Sequence, residues 1–184
     1  MLEIIPLGLD GVLEIVPKRF HDARGYFVED WNAKRFAEAG IDLRFVQDNR
    51  SYSAAAGVMR GLHYQLPPRA QEKLVRVGRG RILDVTVDIR RGSKSFGKWA
   101  AVELSSEKGN QVLVPKGFAH GFVTLVPDTE VLYKVTDIYS PADQRSIRFD
   151  DPAIGIEWPA MAGGFQLSDK DLEAPVLAAA EVFA

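Results

Sequence analysis

Ten short stretches in which apolar and polar side chains alternate constrain this chain more than any other feature. They are Val12–Val16, Tyr26–Trp31, Val58–Gln65, Glu72–Val77, Arg81–Ile89, Trp99–Leu104, Gln111–Val114, Gly121–Val126, Thr129–Thr136 and Ser146–Phe149. A period of two turns one face of a strand to a core and the other away, and clusters of Gly, Pro, Asp and Ser divide the stretches. The pattern predicts an all-β barrel or sandwich. Only Ala33–Ala39 reads clearly as helix, with Asn32 as N-cap and Gly40 as stop; a second helical piece is expected from Ser168–Asp171 towards Leu177. Asp150–Pro159 and the Ala-rich tail are expected to be irregular and to wrap the barrel. No repeat or linker interrupts the 184 residues, so 1–184 reads as a single domain.

Parity then sorts the polar residues, because side chains two apart share a face. Met59, Gly61, His63 and Gln65 fall opposite Val58, Arg60, Leu62 and Tyr64. Lys73 shares a face with Val75 and Val77, and Tyr133 shares one with Val131 and Val135. A polar group among apolar neighbours is costly unless it is paired, so residues placed in this way usually have a task.

Composition narrows the chemistry. The absence of cysteine excludes disulfides, thiolate nucleophiles and Cys-ligated metals, and fits a cytoplasmic protein. A formal charge of −2 predicts no general affinity for nucleic acid or anionic membrane, while a local basic patch can still hold one phosphorylated ligand. The N-terminus lacks a basic leader, and no apolar run approaches the roughly 18 residues of a membrane span.

Of the three histidines, His21 sits in a turn-like surface segment. His63 lies beside Gly61, which allows close approach of a ligand or a bulged backbone, although a hydrogen-bonded core histidine fits equally well. His120 ends the spacing Gly109-x5-Pro115-x-Gly117-x2-His120, which resembles the second motif of the cupin superfamily of jelly rolls. Many cupins hold a metal, but the His-x-His pair of their first motif has no counterpart here, so no metal site is expected. Without metal, thiol or a nucleotide-binding Gly-rich loop, the remaining equipment is proton transfer by His, Tyr, Lys and carboxylates. It suits a carbon acid beside a ketone: a histidine base, a lysine holding the enolate oxygen, and a tyrosine returning a proton from the far side.

Eight segments then resemble one family in order: Asp22–Glu29 (DARGYFVE), Phe45–Asn49 (FVQDN), Arg60–Gln65 (RGLHYQ), Gln71–Arg76 (QEKLVR), Asp84–Arg90 (DVTVDIR), Phe96–Trp99 (FGKW), Pro115–Phe122 (PKGFAHGF) and Leu167–Asp171 (LSDKD). Over nearly its whole length the chain is similar to the dTDP-4-dehydrorhamnose 3,5-epimerases. The resemblance implies a cupin-like jelly roll with short peripheral helices. The implied activity is epimerisation at C3 and C5 of a dTDP-linked 4-keto-6-deoxy sugar, with no cofactor. It makes His63 the proton acceptor, Asp171 its partner, Tyr133 the proton donor on the opposite face and Lys73 the group that polarises the C4 carbonyl. His120, with Asp84, would bind close to the sugar. Arg24, Glu29, Gln47, Asn49, Arg60 and Lys170 match nucleotide- and diphosphate-binding positions, and Tyr139 matches the ring that stacks on thymine. The arginine fork suits a diphosphate. The resemblance also implies a homodimer whose N-terminal strands cross, placing Arg24 and Glu29 at the neighbouring subunit's site.

Simpler readings remain beside these. Lys73 as a surface lysine, Tyr133 as a core tyrosine, Asp84 as a structural carboxylate, Gln47 and Asn49 as turn residues and Tyr139 as packing over a turn all agree with the sequence. Arg60 has the opposite parity to His63, so both can reach one ligand only if the strand is bulged or Arg60 sits at a rim. Gln144 stands where the family pattern suggests a glutamate at the nucleotide. An enzyme inverting only one centre, or a non-catalytic sugar-nucleotide-binding module, is the alternative function.

Overall fold

The computed structural model describes residues 2–184, and alternation becomes sheet in most of the expected places. The strands are β1 (Leu2–Pro6), β2 (Leu13–Pro17), β3 (Arg19–Asp22), β4 (Gly25–Val28), β5 (Gln47–Ser53), β6 (Met59–Gln65), β7 (Lys73–Arg79), β8 (Arg81–Asp88), β9 (Trp99–Ser105), β10 (Gln111–Val114), β11 (Phe118–Thr124), β12 (Thr129–Val135) and β13 (Gln144–Ser146). One sheet runs β1-β2-β10-β7-β12-β5 and a second β13-β6-β11-β8-β9, with β3 and β4 forming a separate hairpin. All named pairs are antiparallel.

The two sheets close on each other as a cupin-like jelly roll. Val12, Val75, Val77, Ile82, Leu104, Val112, Phe118, Phe122 and Val131 fill one part of the space between them. The outer face of the first sheet is covered by α1 (Ala33–Glu38), whose Phe36 packs with Ile15, Ile41, Leu74 and Leu113. Asn32 caps α1 by accepting from the Arg35 N–H at 3.1 Å, and Gly40 follows it at φ +86°. Over the second sheet, Ile154, Trp158, Leu177, Ala180 and Phe183 pack on Val85, Val87 and Ile89, so the irregular C-terminal segment wraps the roll as expected.

Several expectations need correction. Gln47 and Asn49 lie in strand β5, not in turns, and His21 lies in β3. The stretch Tyr26–Trp31 ends as strand at Val28, since Trp31 turns away to stack against Phe36 and Phe45 at 4.3 and 4.6 Å. The last strand is Gln144–Ser146, not Ser146–Phe149. The second helix, α2 (Asp169–Leu172), stops before Pro175, which disfavours helix in the residue preceding it; Leu177–Ala179 is a separate 3-10 turn.

Candidate active site

A bulge in β6 builds the centre of the site. His120 pairs with His63 and Phe122 pairs with Arg60, so three steps along β6 face two along β11. The extra residue reverses parity between Arg60 and His63, and both side chains line one cleft of about 660 Å³. Gly61 permits this. It sits at φ +118°, and a Cβ there would lie 2.6 Å from the Gly121 Cα and 2.7 Å from the His120 carbonyl oxygen.

His63 Nε2 lies 2.5 Å from Asp171 Oδ1, and the histidine side chain is 27% exposed against 5% for the aspartate. Burial pushes the Asp171 carboxyl upward, but the His63 contact, the Ser168 hydroxyl and the Gly61 N–H outweigh it and hold Asp171 below its ordinary value. Asp171 therefore fixes the ring through Nε2, which leaves Nδ1 as the nitrogen not engaged by the carboxylate.

The opposite wall comes from the first sheet. Tyr133 on β12 lies between Asn49 of β5 and Val75 of β7, and burial raises its hydroxyl above the ordinary value, with Arg60 opposing. Lys73 opens β7 and donates from Nζ to the His63 carbonyl at 3.2 Å. Burial lowers its ammonium to about 8, against the pull of Asp84. Gln47, Asn49 and Ser51 alternate along β5 and also line the cleft. Gln47 Nε2 donates to Asn49 Oδ1 at 2.8 Å, and Gln47 Oε1 accepts from the Tyr139 N–H at 3.0 Å.

A second histidine–carboxylate pair lies deeper. His120 Nε2 is 2.8 Å from Asp84 Oδ2, with side chains 8% and 1% exposed. His120 lines the cleft, whereas Asp84 stands behind it; the expectation that Asp84 binds the ligand directly becomes one of action through His120 and Lys73.

At the rim, Tyr139 Oη and Lys170 Nζ both donate to Gln144 Oε1, at 2.8 and 2.7 Å. Gln144 and Tyr139 line the cleft, and Lys170 reaches it through Gln144. A glutamate here would pair with Lys170, whereas the neutral amide accepts from it without adding a countercharge. Gln65, not among the expected site residues, anchors the same rim. It donates to the Arg69 and Ile138 carbonyls and accepts from the Ser140 N–H, while Gln71 donates to the Asp137 carbonyl. Gln65 shares parity with His63, which was the available signal. Met59, Phe122, Gln166 and Ser168 also line the cleft.

Two expected residues are not brought to the cleft within this chain. Arg24, its side chain 90% exposed, pairs with Asp22 at 2.6 Å in the β3–β4 hairpin. Glu29 pairs with Arg35 at 3.0 Å beside a separate cleft lined by Leu2, Phe20 and Phe36. Among the described residues no three His, Asp or Glu side chains gather as a metal site requires.

The main cleft thus has a histidine on one sheet, a phenol and a lysine on the other, and polar groups around the mouth. That arrangement can remove a proton beside a carbonyl, hold the resulting enolate and return a proton from the opposite side.

Known proteins resemble this chain over nearly its whole length. Residues 6–179 match the family model described as dTDP-4-dehydrorhamnose 3,5-epimerase. A curated protein of that name from Sinorhizobium fredii is 52% identical over 171 residues, covering 93% of this chain and 87% of the relative. The solved dTDP-6-deoxy-D-glucose-3,5-epimerase of Legionella pneumophila, in complex with dTDP-4-keto-L-rhamnose, superposes with a TM-score of 0.93 at 47% identity, covering 97% of this chain and 94% of that one. The dTDP-4-dehydrorhamnose 3,5-epimerase of Bacillus anthracis, with TDP and pyrophosphate bound, superposes with a TM-score of 0.92 at 44% identity over 96% and 99% of the two chains.

Proposed function

The chain belongs to the dTDP-4-dehydrorhamnose 3,5-epimerase family, and on that premise we propose that its main cleft epimerises dTDP-4-keto-6-deoxy-D-glucose at C3 and C5, giving dTDP-4-keto-L-rhamnose for dTDP-L-rhamnose synthesis. It is a carbohydrate epimerase. The observation that carries the reading is the placement of His63 and Tyr133 on facing sheets of one cleft, with Lys73 of the Tyr133 sheet donating to the His63 carbonyl. His63, oriented by Asp171, removes the proton beside the C4 ketone. Lys73 stabilises the enolate oxygen, and Tyr133 protonates the opposite face. The same set serves C3 and C5 in turn, since both carbons flank the one carbonyl.

His120 supports the sugar. Gln47, Asn49, Arg60, Tyr139, Gln144 and Lys170 receive the nucleotide and diphosphate, for which the two cationic side chains and the exposed Tyr139 ring provide charge and a stacking surface. We read the active form as a cytoplasmic homodimer. The β3–β4 hairpin exposes Phe20, Tyr26 and Phe27 at 49, 52 and 68%, an apolar surface suited to a second copy, and carries Arg24 at its tip. Docked on a partner, that hairpin would bring Arg24 and Glu29 to the partner's cleft.

Incubation with the dTDP-4-keto sugar in deuterated water tests the reading. Deuterium at both C3 and C5 is expected. Label at one centre would reduce the protein to a mono-epimerase, and none at all would leave a binding module.

A further inference from the structure

Asp171 is useful to His63 only if its carboxylate is held in one orientation, and α2, four residues long, is too short to hold it by packing alone. Attachments to the β6 region on both sides of Ser168 do so, among them the Gly61 N–H on the Asp171 carboxylate. On the N-terminal side, Gln166 accepts from the Met59 N–H and donates to the Gly57 carbonyl, both at 2.9 Å, tying the segment to the start of the strand that carries His63. On the other side stands the His63–Asp171 contact itself. Between them Ser168 uses its hydroxyl twice. Oγ accepts from the Asp171 N–H at 3.3 Å as the N-cap of α2, and donates to Asp171 Oδ2 at 2.9 Å. A hydroxyl has one proton to give and lone pairs to spare, so both bonds coexist. With Oδ2 committed to Ser168, Oδ1 faces His63.

We propose that Ser168 is a positioning residue for proton abstraction. It acts through Asp171 on the orientation of the His63 ring and makes no bond to the reacting carbons. The inference rests on the epimerase function given above. A partner one shell out from a working histidine typically changes activity 10–100-fold when removed, by the precedent of outer-shell groups around ligating histidines.

Three variants separate this role from helix capping. Glycine is nearly as good an N-cap as serine while alanine is poor, so Ser168→Gly keeps α2 but removes the hydroxyl from Asp171. Both S168G and S168A are expected to lower kcat for C3 and C5 deuterium exchange by about tenfold, with KM and dTDP affinity within twofold of wild type. Ser168→Thr, which restores the hydroxyl, is expected to recover at least a third of the rate. A normal kcat in S168G with a depressed one in S168A would show that the hydroxyl only caps the helix, and would overturn the proposal. So would a rise in KM at unchanged kcat, or a wild-type rate in both. Absence of exchange in the wild-type protein would refute the epimerase reading instead, a different and recognisable failure.

Discussion

Two histidine–carboxylate pairs line or back the same cleft, and they differ in nearly everything but chemistry. His63 and Asp171 bridge a strand and a four-residue helix, the ring is 27% exposed, and the carboxylate is bonded on both oxygens. His120 and Asp84 sit on adjacent strands β11 and β8, are 8% and 1% exposed, and leave Asp84 Oδ1 without a hydrogen-bond partner among the described residues. A ring that reaches the open cleft can change its proton content during a reaction. A ring sealed against a buried carboxylate is part of the wall, and disturbing it exposes the fold to an unpaired charge. The same two side chains therefore do different work according to where the strands put them.

The largest expected effect sharpens that contrast. His63→Asn is expected to lower deuterium exchange by about 10³-fold, within the range for loss of a general base, while thermal unfolding stays within a few degrees of wild type. His120→Ala should show the reverse emphasis. Leaving Asp84 buried without its histidine partner is expected to cost about 3 kcal/mol, or roughly 6–12 °C in Tm for a domain of this size, and a His120→Leu/Asp84→Leu double variant should regain part of that stability without regaining activity. If His63→Asn proves the more destabilising of the two single changes, the comparison fails.

Lys73 connects the pairs, since its Nζ donates to the His63 carbonyl and its charge is supported by Asp84. Burial lowers its ammonium from 10.5 to about 8, so the folded chain holds fewer protons than the unfolded one between those values. Two consequences follow with opposite signs. Stability contributed by this group rises as pH climbs through that window, because the cost of a buried cation disappears from the fold. Activity falls over the same window, because a neutral amine holds an enolate poorly. A pH–rate profile should thus show an alkaline limb near 8, and Asp84→Asn should move the limb lower by removing the charge that supports the ammonium. The smallest effect is expected at the rim. Gln144→Glu would neutralise Lys170 and is expected to weaken dTDP binding by a few-fold, measurable by calorimetry, with kcat nearly unchanged.

Where side chains face a dry interior, the fold was legible from alternation alone. Val75 and Val77 announce β7, and Val131 and Val135 announce β12, each marking Lys73 or Tyr133 as a polar intruder by parity. Strand β5 escaped for the opposite reason. Its inward positions are Gln47, Asn49 and Ser51, polar because they line the cleft, so the periodicity is real but carries no hydrophobic signal. Asp171 lies over 100 residues from His63 along the chain, and no local pattern joins them; only the family resemblance put them together. Arg24 and Glu29 were equally visible as motif residues, yet a single chain leaves them away from the cleft, since their expected place depends on a second copy.

A regular strand addresses a cavity at every second position with one unchanging phase; the offset at Gly61 resets that phase partway along. Arg60 and His63 then face the same cleft from an odd separation, and in the proposed reaction one would meet the charged end of the substrate and the other its carbon centres. Removing one residue there would leave His63 in place and turn Arg60 outward, separating recognition from chemistry along a single strand.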